Sequence, residues 1–493
     1  MIPEECDVVV AGAGPSGLLV GTELALAGVN TLILERRGEP QLPRAGTLAP
    51  RVLEILDSRG LADRVMARAH ELHDEPRAYT GIWAGFHGVR FDQLDSPYPH
   101  VLVFAQMEVE RILAERAAEL GCPVVRNVTV TGLTQDDDHV TVEFTKPDGT
   151  PGTVRARYLV GADGARSAVR RAAGITSTGH DADRTAVNVD AVLDYPFPEP
   201  ITVTNNINGW GLSYPLRKGV TRFGLIDAVD SHHLPDVPVT VEDGKKMLTR
   251  IYGTDFGITE ATTSRFHNAM YMADTLRSGR VLLVGESVRV HYPASGVGMN
   301  FCLQDAFNLG WKLAATVQGW APDGLLDSYE TERRPQIERL LADVRRQCAV
   351  QFTFTEEMLD LKRMIEHELI PMPEVNSLLA GNLSGIDARY PAAAEAPDLV
   401  GRRLRDTPVH TAEGTAGSVH QMLREQKFLL LGTDPHDPWQ VPGPLAAHLR
   451  CAVLDDPRAA EGASGLLVRP DGHVAAAFSV TPGEAELAQW IAA

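Results

Sequence analysis

The segment from Asp7 to Arg36, DVVVAGAGPSGLLVGTELALAGVNTLILER, limits the fold more than any other stretch of the chain. Asp7 to Ala11 is a short β-branched run, too brief for a helix and closed at once by glycine, so it reads as a strand. Gly12, Gly14 and Gly17 then spell GxGxxG. The first glycine admits a tight turn, the second lets backbone approach a pyrophosphate, and the third lets helix pack closely on strand. A helix opening with Pro15 and Ser16 aims its positive end at that phosphate. The next strand, Thr31 to Leu34, ends at Glu35, 18 residues past Gly17, where a carboxylate can accept from a ribose hydroxyl. Glycine turns alone are common; the complete strand–helix–strand frame with its terminal acid makes this a dinucleotide site. Arg36 reads either as a contact to a ribose phosphate or as a solvated arginine at a strand end.

Length and charge narrow the remaining choices. A chain of 493 residues has room for two or three domains with real cores. Its 44% hydrophobic and 23% charged residues are ordinary for a globular protein. A formal net charge of −19 argues against nucleic acid or an anionic membrane as partner. Cys6, Cys122, Cys302, Cys348 and Cys451 are scattered without a CxxC, which suits a reducing cytoplasm and disfavours a disulfide scaffold or a zinc site. Strand begins almost at the N-terminus, leaving no signal peptide, and no apolar run approaches the ~20 residues that span a bilayer. The expected location is therefore cytoplasmic, with no bound metal.

Further along, the spacing predicts a helix over 47–60, another over 109–120, and strands near 124–133 and 140–144. Asp136, Asp137 and Asp138 between those strands read as a solvated hairpin tip. Residues 185–226 alternate apolar and polar side chains between turns, the pattern of an antiparallel sheet and of a substrate wall. In 299–319, Leu303, Phe307, Gly310, Trp311, Ala314 and Val317 share one helical face, with Gly319 as its stop. A helix over 325–347 is expected to bend or restart near Pro335. A Pro/Ala-rich link, 390–397, precedes a last α/β unit.

Two later segments sharpen the nucleotide reading. YLVGADGARSAVR (158–170) is a buried strand, a tight Asp163-Gly164 turn and a helix start bearing Arg166 and Arg170. RVLLVGESVRVHYPASGVGMN (280–300) is a strand that breaks at Gly285-Glu286 and passes through Pro293 and Gly296 into a helix. A carboxylate at the break can hold a polyol hydroxyl. The amides of Gly298, Met299 and Asn300 at the helix start can hold partial negative charge on a ring oxygen.

Together these segments resemble the FAD-dependent aromatic hydroxylases, the single-component flavoprotein monooxygenases related to phenol and para-hydroxybenzoate hydroxylases, and among them those acting on actinomycete aromatic polyketides. PRAGTLAPR (43–51), FAQMEVERIL (104–113), NFCLQDAFNLGWKLA (300–314) and LDSYETERRP (326–335) extend the likeness over nearly the whole chain. The resemblance implies an α/β fold: a Rossmann-like FAD-binding domain of the para-hydroxybenzoate hydroxylase type (1–175 and 265–395), an inserted antiparallel-sheet substrate domain (176–264), and a thioredoxin-like C-terminal domain (396–493). The last lacks a redox CxxC and reads as structural or as the surface of a homodimer. The resemblance further places Arg44 near the flavin, Gln106 facing the isoalloxazine, and Gly285-Glu286 on the ribityl chain.

Departures from the family pattern cluster at the flavin. The usual GDAAH is GESVR here, so Glu286 replaces an aspartate and Arg289 stands where histidine is common. Ser295 and Val297 replace glycine and glutamine, and a serine at 295 requires a negative φ. The activity implied is FAD- and NAD(P)H-dependent hydroxylation of a polycyclic aromatic polyketide in antibiotic biosynthesis, with O2 reacting through a flavin C4a-hydroperoxide. Baeyer–Villiger, epoxidising or ring-rearranging oxygen insertion is the related alternative, and flavin binding without oxygenase turnover the third. An apolar, dry pocket with few charged residues is expected. Trp210, Leu212, Tyr214, Phe223, Leu225, Tyr292 and Pro293 are its candidate walls. His291 could help ionise a phenol, but no catalytic base is assigned.

Overall fold

In the computed structural model the described residues are 2–39, 45–194, 202–217, 219–233, 235–411, 414, 416–436, 439–440 and 443–492. Strand Glu5–Ala11 lies at the centre of the main sheet, between Thr31–Glu35 and Pro151–Gly161, with Val124–Arg126 and Val281–Leu283 outside them, all parallel. Val8, Val9 and Val10 are fully buried, as a strand covered on both faces requires. The hairpin formed by Thr129–Gln135 and Val140–Thr145 extends antiparallel from the long strand 151–161.

Helix Gly298–Gln318 packs against the nucleotide helix Pro15–Leu26. Their approach depends on Gly310, because a Cβ there would stand 2.4 Å from Glu23 Cβ. Gly319, with φ +82°, ends the helix as expected. The expected break at Pro335 does not occur: helix Ser328–Gln351 runs through it. A proline inside a helix forfeits one ladder bond, and here burial of Tyr329, Ile337, Leu340 and Val344 holds both halves in line.

The middle unit is a five-stranded antiparallel sheet, ordered 202–206, 209–217, 220–227, 185–193, 258–267. Helix Val241–Tyr252, opened by a reciprocal Thr240/Asp243 cap, covers one face. Sequence reading overlooked this helix and strand 258–267.

In the C-terminal unit the strands Phe428–Gly432 and Leu449–Leu454 are parallel, and Gly465–Val468 and Val474–Phe478 add antiparallel. That is the thioredoxin-like pattern. The turn Arg469–His473 reaches into the unit built on the parallel sheet. Arg469 Nη1 donates to Glu332 Oε1 at 2.6 Å, Lys312 Nζ donates to Glu332 Oε2 at 2.7 Å, and Trp311 Nε1 donates to Asp471 Oδ2 at 3.2 Å. Burial alone would raise the Glu332 carboxyl, but the Arg469 and Lys312 cations overcome desolvation and hold it at about 2.

Candidate functional site

The glycine loop follows the central strand, where the parallel sheet changes direction. Gly12 has φ +109°, and a Cβ on it would lie 2.3 Å from Ala162 O and 3.1 Å from Asp163 N. The first and second nucleotide segments are thus in backbone contact. A Cβ on Gly17 would meet Gly12 O at 2.0 Å, so helix and turn touch as its place in the motif requires. Gly14 differs: its φ of −73° suits any residue, and a Cβ there meets nothing within 4 Å among the described residues. Among the described residues, fold geometry does not demand glycine at position 14.

Glu35 sits at the expected strand end, and its carboxylate is engaged by the backbone. Oε2 accepts from Ala13 N at 2.7 Å and Oε1 from Arg37 N at 2.9 Å. It therefore pins the glycine loop while keeping lone pairs for a ribose hydroxyl. Arg36 is exposed. Arg44 lies outside the described residues. Gln106 opens helix Gln106–Glu119 and donates from Nε2 to Glu110 Oε1 at 2.8 Å. Burial, with Glu35 nearby, pushes the Glu110 carboxyl upward.

Asp163 Oδ2 accepts from Ala168 N and Val169 N at 2.7 and 3.1 Å, while its buried Oδ1 has no hydrogen-bond partner among the described residues. The third segment closes on the same place. A Cβ on Gly285 (φ +70°) would lie 2.5 Å from Ser16 Oγ, and one on Gly164 would lie 4.0 Å from Glu286 Oε2. Ser16 Oγ also donates to Cys302 O at 3.4 Å, in the first turns of helix Gly298–Gln318. Asn300 fastens that helix to the strand Thr47–Leu48, its Oδ1 accepting from Ala49 N at 2.7 Å and its Nδ2 donating to Thr47 O at 3.1 Å. Among the described residues, the amides of Gly14, Ser16, Gly17, Gly298, Met299 and Asn300 donate to no protein acceptor. A buried orphan carboxylate oxygen fits a hydroxyl of FAD, and a glycine with open space and two helix starts with free amides fit its phosphates and ring.

Two of the four departures, Arg289 and Ser295, have physical explanations in the structure. Arg289 is fully buried and ion-paired to Asp305, whose other oxygen accepts from Arg333 Nε at 2.7 Å. A carboxylate supplied by helix Gly298–Gln318 is what lets an arginine replace the usual histidine. At Ser295 the expectation of a negative φ was wrong: φ is +53°. Its hydroxyl donates to Gln347 Oε1 at 2.7 Å, which helps hold the left-handed backbone. Gly296 also has positive φ (+68°), and Pro293 is exposed.

The substrate wall needs a larger correction. Across strands 209–217 and 220–227, Trp210 pairs with Ile226, Leu212 with Gly224 and Tyr214 with Arg222. Directly paired residues share a face, so Phe223 and Leu225 point the other way. They are buried against Met247, Leu248 and Ile251 of the covering helix and cannot line the site. The face carrying Trp210, Leu212 and Tyr214 looks toward the flavin-binding unit: Trp210 abuts Gly85, and Tyr214 lies beside Gly46. That face is also less apolar than expected. Arg222 donates to both oxygens of Asp190, at 2.6 and 2.7 Å, and contacts the Tyr214 hydroxyl. Burial pushes that hydroxyl's pKa up, with Arg222 opposing it. Sequence reading missed Asp190 and Arg222; the signal was a charge in phase with Leu212 and Tyr214.

Tyr292 stacks on Phe266, centroids 5.6 Å apart, and meets Phe352 edge-on at 5.1 Å. His291 Nδ1 lies 2.7 Å from Tyr292 O, and a Cβ on Gly298 would lie 3.5 Å from its ring. Burial, helped by Arg289, lowers the His291 pKa to about 4, so the ring is neutral near pH 7.

Residues 5–344 match the FAD binding domain family, and residues 397–493 match the C-terminal domain of aromatic-ring hydroxylases. The chain belongs to the FAD-dependent aromatic-ring hydroxylases. This hydroxylase is 38% identical over 485 residues to the 12-dehydrotetracycline 5-monooxygenase/anhydrotetracycline 6-monooxygenase of Streptomyces rimosus subsp. rimosus, covering 95% of this chain and 94% of that one. It is 37% identical to the rifampicin monooxygenase of Rhodococcus hoagii, over 95% and 94% of the two chains. The solved structure of OxyS anhydrotetracycline hydroxylase from Streptomyces rimosus matches with a TM-score of 0.87 at 36% identity, covering 99% of each chain. The hydroxylase is an FAD-dependent monooxygenase, hence an oxidoreductase. Among the described residues no helix is long and apolar enough to cross a membrane.

Proposed function

We propose that this hydroxylase inserts one oxygen atom from O2 into a polycyclic aromatic polyketide, with NADPH or NADH as reductant. The observation that carries the reading is the meeting of Gly12 with Asp163, Ser16 with Gly285, and Gly164 with Glu286, beside a wall of Trp210, Leu212, Tyr214, Phe266 and Tyr292. Relatives named for tetracycline-type and rifampicin substrates support the substrate class.

Bound FAD supplies the redox and oxygen-activating chemistry; the protein supplies position and electrostatics. The amides of Gly14, Ser16 and Gly17 would hold its phosphates, and Glu35 a ribose hydroxyl. Those of Gly298, Met299 and Asn300 would face the ring and favour negative charge there, by ~0.3–1 kcal/mol and more where partly buried. Neutral His291 adds no further positive charge there. The aromatic wall takes a flat substrate by stacking and excludes water from the reacting edge.

Purified holoenzyme, NADPH or NADH, and a panel of angucycline- and anthracycline-type phenols provide the test. A product heavier by one oxygen with its rings intact is the expected result. Yellow protein whose reductant consumption no panel member stimulates would refute the reading.

A further inference from the structure

Helix Glu356–Met364 is built inside out. Its only buried residue is Lys362, which is 2% exposed, whereas Leu361 and Met364 are 40% and 39% exposed. An ordinary surface helix buries its apolar residues and leaves lysine in water. Lys362 Nζ lies 3.2 Å from Asn205 Oδ1 and 4.5 Å from the centre of the Phe354 ring. Among the described residues no carboxylate pairs with it. Its neutral contacts with Asn205 and Phe354 do not replace a counter-charge, and desolvation pulls the ammonium down to about 8. At neutral pH it still carries its charge, with two of three donors unassigned.

The position of this cation matters as much as its isolation. Asn205 pairs with Trp210 across strands 202–206 and 209–217, so it belongs to the sheet face that looks toward the flavin-binding unit. On the other side, Phe354 follows Phe352 by two residues, and Phe352 packs edge-on against Tyr292 of the flavin loop. Lys362 therefore occupies the rim of the aromatic wall. Burying an unpaired ammonium costs several kcal/mol, and one aromatic contact returns ~0.5–2 kcal/mol. Among the described residues no anion balances this charge.

We propose that Lys362 binds an ionised phenol or enol oxygen of the aromatic substrate and thereby sets which end of the ring system enters the site. The inference rests on the aromatic-hydroxylase reading and deepens it. Asn205 orients the ammonium through one donor, Phe354 shields it, and the two remaining donors face the substrate oxygen. Substrates with a free, acidic phenol or enol hydroxyl are selected over alkylated ones.

Alizarin, a hydroxyanthraquinone whose colour reports its ionisation, is a suitable probe with the FAD-loaded enzyme. Wild type should bind it in the ionised form. Lys362→Met should weaken binding at least tenfold and leave any bound dye neutral, while Lys362→Arg should keep the ionised spectrum. Thermal melting adds a second readout. A lysine present for structure predicts that Lys362→Met melts lower, whereas removal of an unpaired buried charge predicts an equal or higher midpoint. Unchanged dye affinity and spectrum in Lys362→Met would overturn the assignment, as would wild type that binds the dye only as neutral phenol or not at all. Failure of the flavin reading itself would appear separately, as wild-type protein that retains no FAD whether or not dye is present.

Discussion

Ser16 and Gly285 are in direct contact although they belong to opposite halves of the chain: a Cβ built on Gly285 would stand 2.5 Å from Ser16 Oγ. Gly285 also has φ +70°, where an L-residue costs ~1–2 kcal/mol. Gly285→Ala should lower stability by about 1–3 kcal/mol in urea unfolding. Adding Ser16→Gly should recover the steric part, giving a non-additive cycle. Strict additivity would mean that the two segments do not meet.

Asp305 receives Arg289 and Arg333 at a site closed to water. Asp305→Asn leaves two buried guanidinium groups without an anion, and removal of one partner from such a group costs ~3–5 kcal/mol. Loss of soluble protein, or a melting temperature depressed by many degrees, is expected. A variant that melts like wild type would show that the buried charges are satisfied in another way.

At Ser295 two terms can be separated. Ser295→Ala loses the bond to Gln347 and keeps the left-handed strain, while Ser295→Gly loses the bond and relieves the strain. The glycine variant should therefore be the more stable of the two by ~1 kcal/mol. The reverse order in denaturant unfolding would contradict the φ of +53°.

His473 is buried against Tyr390, and desolvation lowers its pKa from 6.5 to about 4. Below 6.5 the unfolded chain takes a proton that the folded chain refuses. Stability is full above that pH and is lost as pH falls toward 4, by up to ~3 kcal/mol at 1.36 kcal/mol per unit. Glu332, held at about 2 instead of 4.5, adds a further loss as pH drops from 4.5 to 2. Urea midpoints measured from pH 7 to pH 4 should fall, and His473→Asn should flatten the decline. An identical slope in that variant would place the acid sensitivity elsewhere.

Much of the flavin cradle was legible in the sequence because it is built from backbone. Glycines at 12, 17 and 285 are forced by contacts that a Cβ would violate, and such positions leave a fixed spacing in the chain. The substrate wall was harder to read. Phe223 and Leu225 have the same composition as Leu212 and Tyr214, and only strand register assigns them to opposite faces. Position 295 misled because a side-chain bond held a conformation that glycine usually supplies. Pro335 misled because packing outweighed local propensity. Lys362 was invisible for a related reason: on a short helix rich in charge, a lysine reads as solvated until the neighbouring sheet is in place.

FAD content of Gly14→Val tests the central claim most directly. Position 14 has an ordinary φ, and a Cβ there meets no atom of the described residues within 4 Å, so the variant should fold with wild-type circular dichroism. Its side chain would nonetheless occupy the approach of the pyrophosphate. The account predicts folded, colourless protein that takes up no flavin when incubated with FAD. Folded protein with full, tightly held flavin would contradict it.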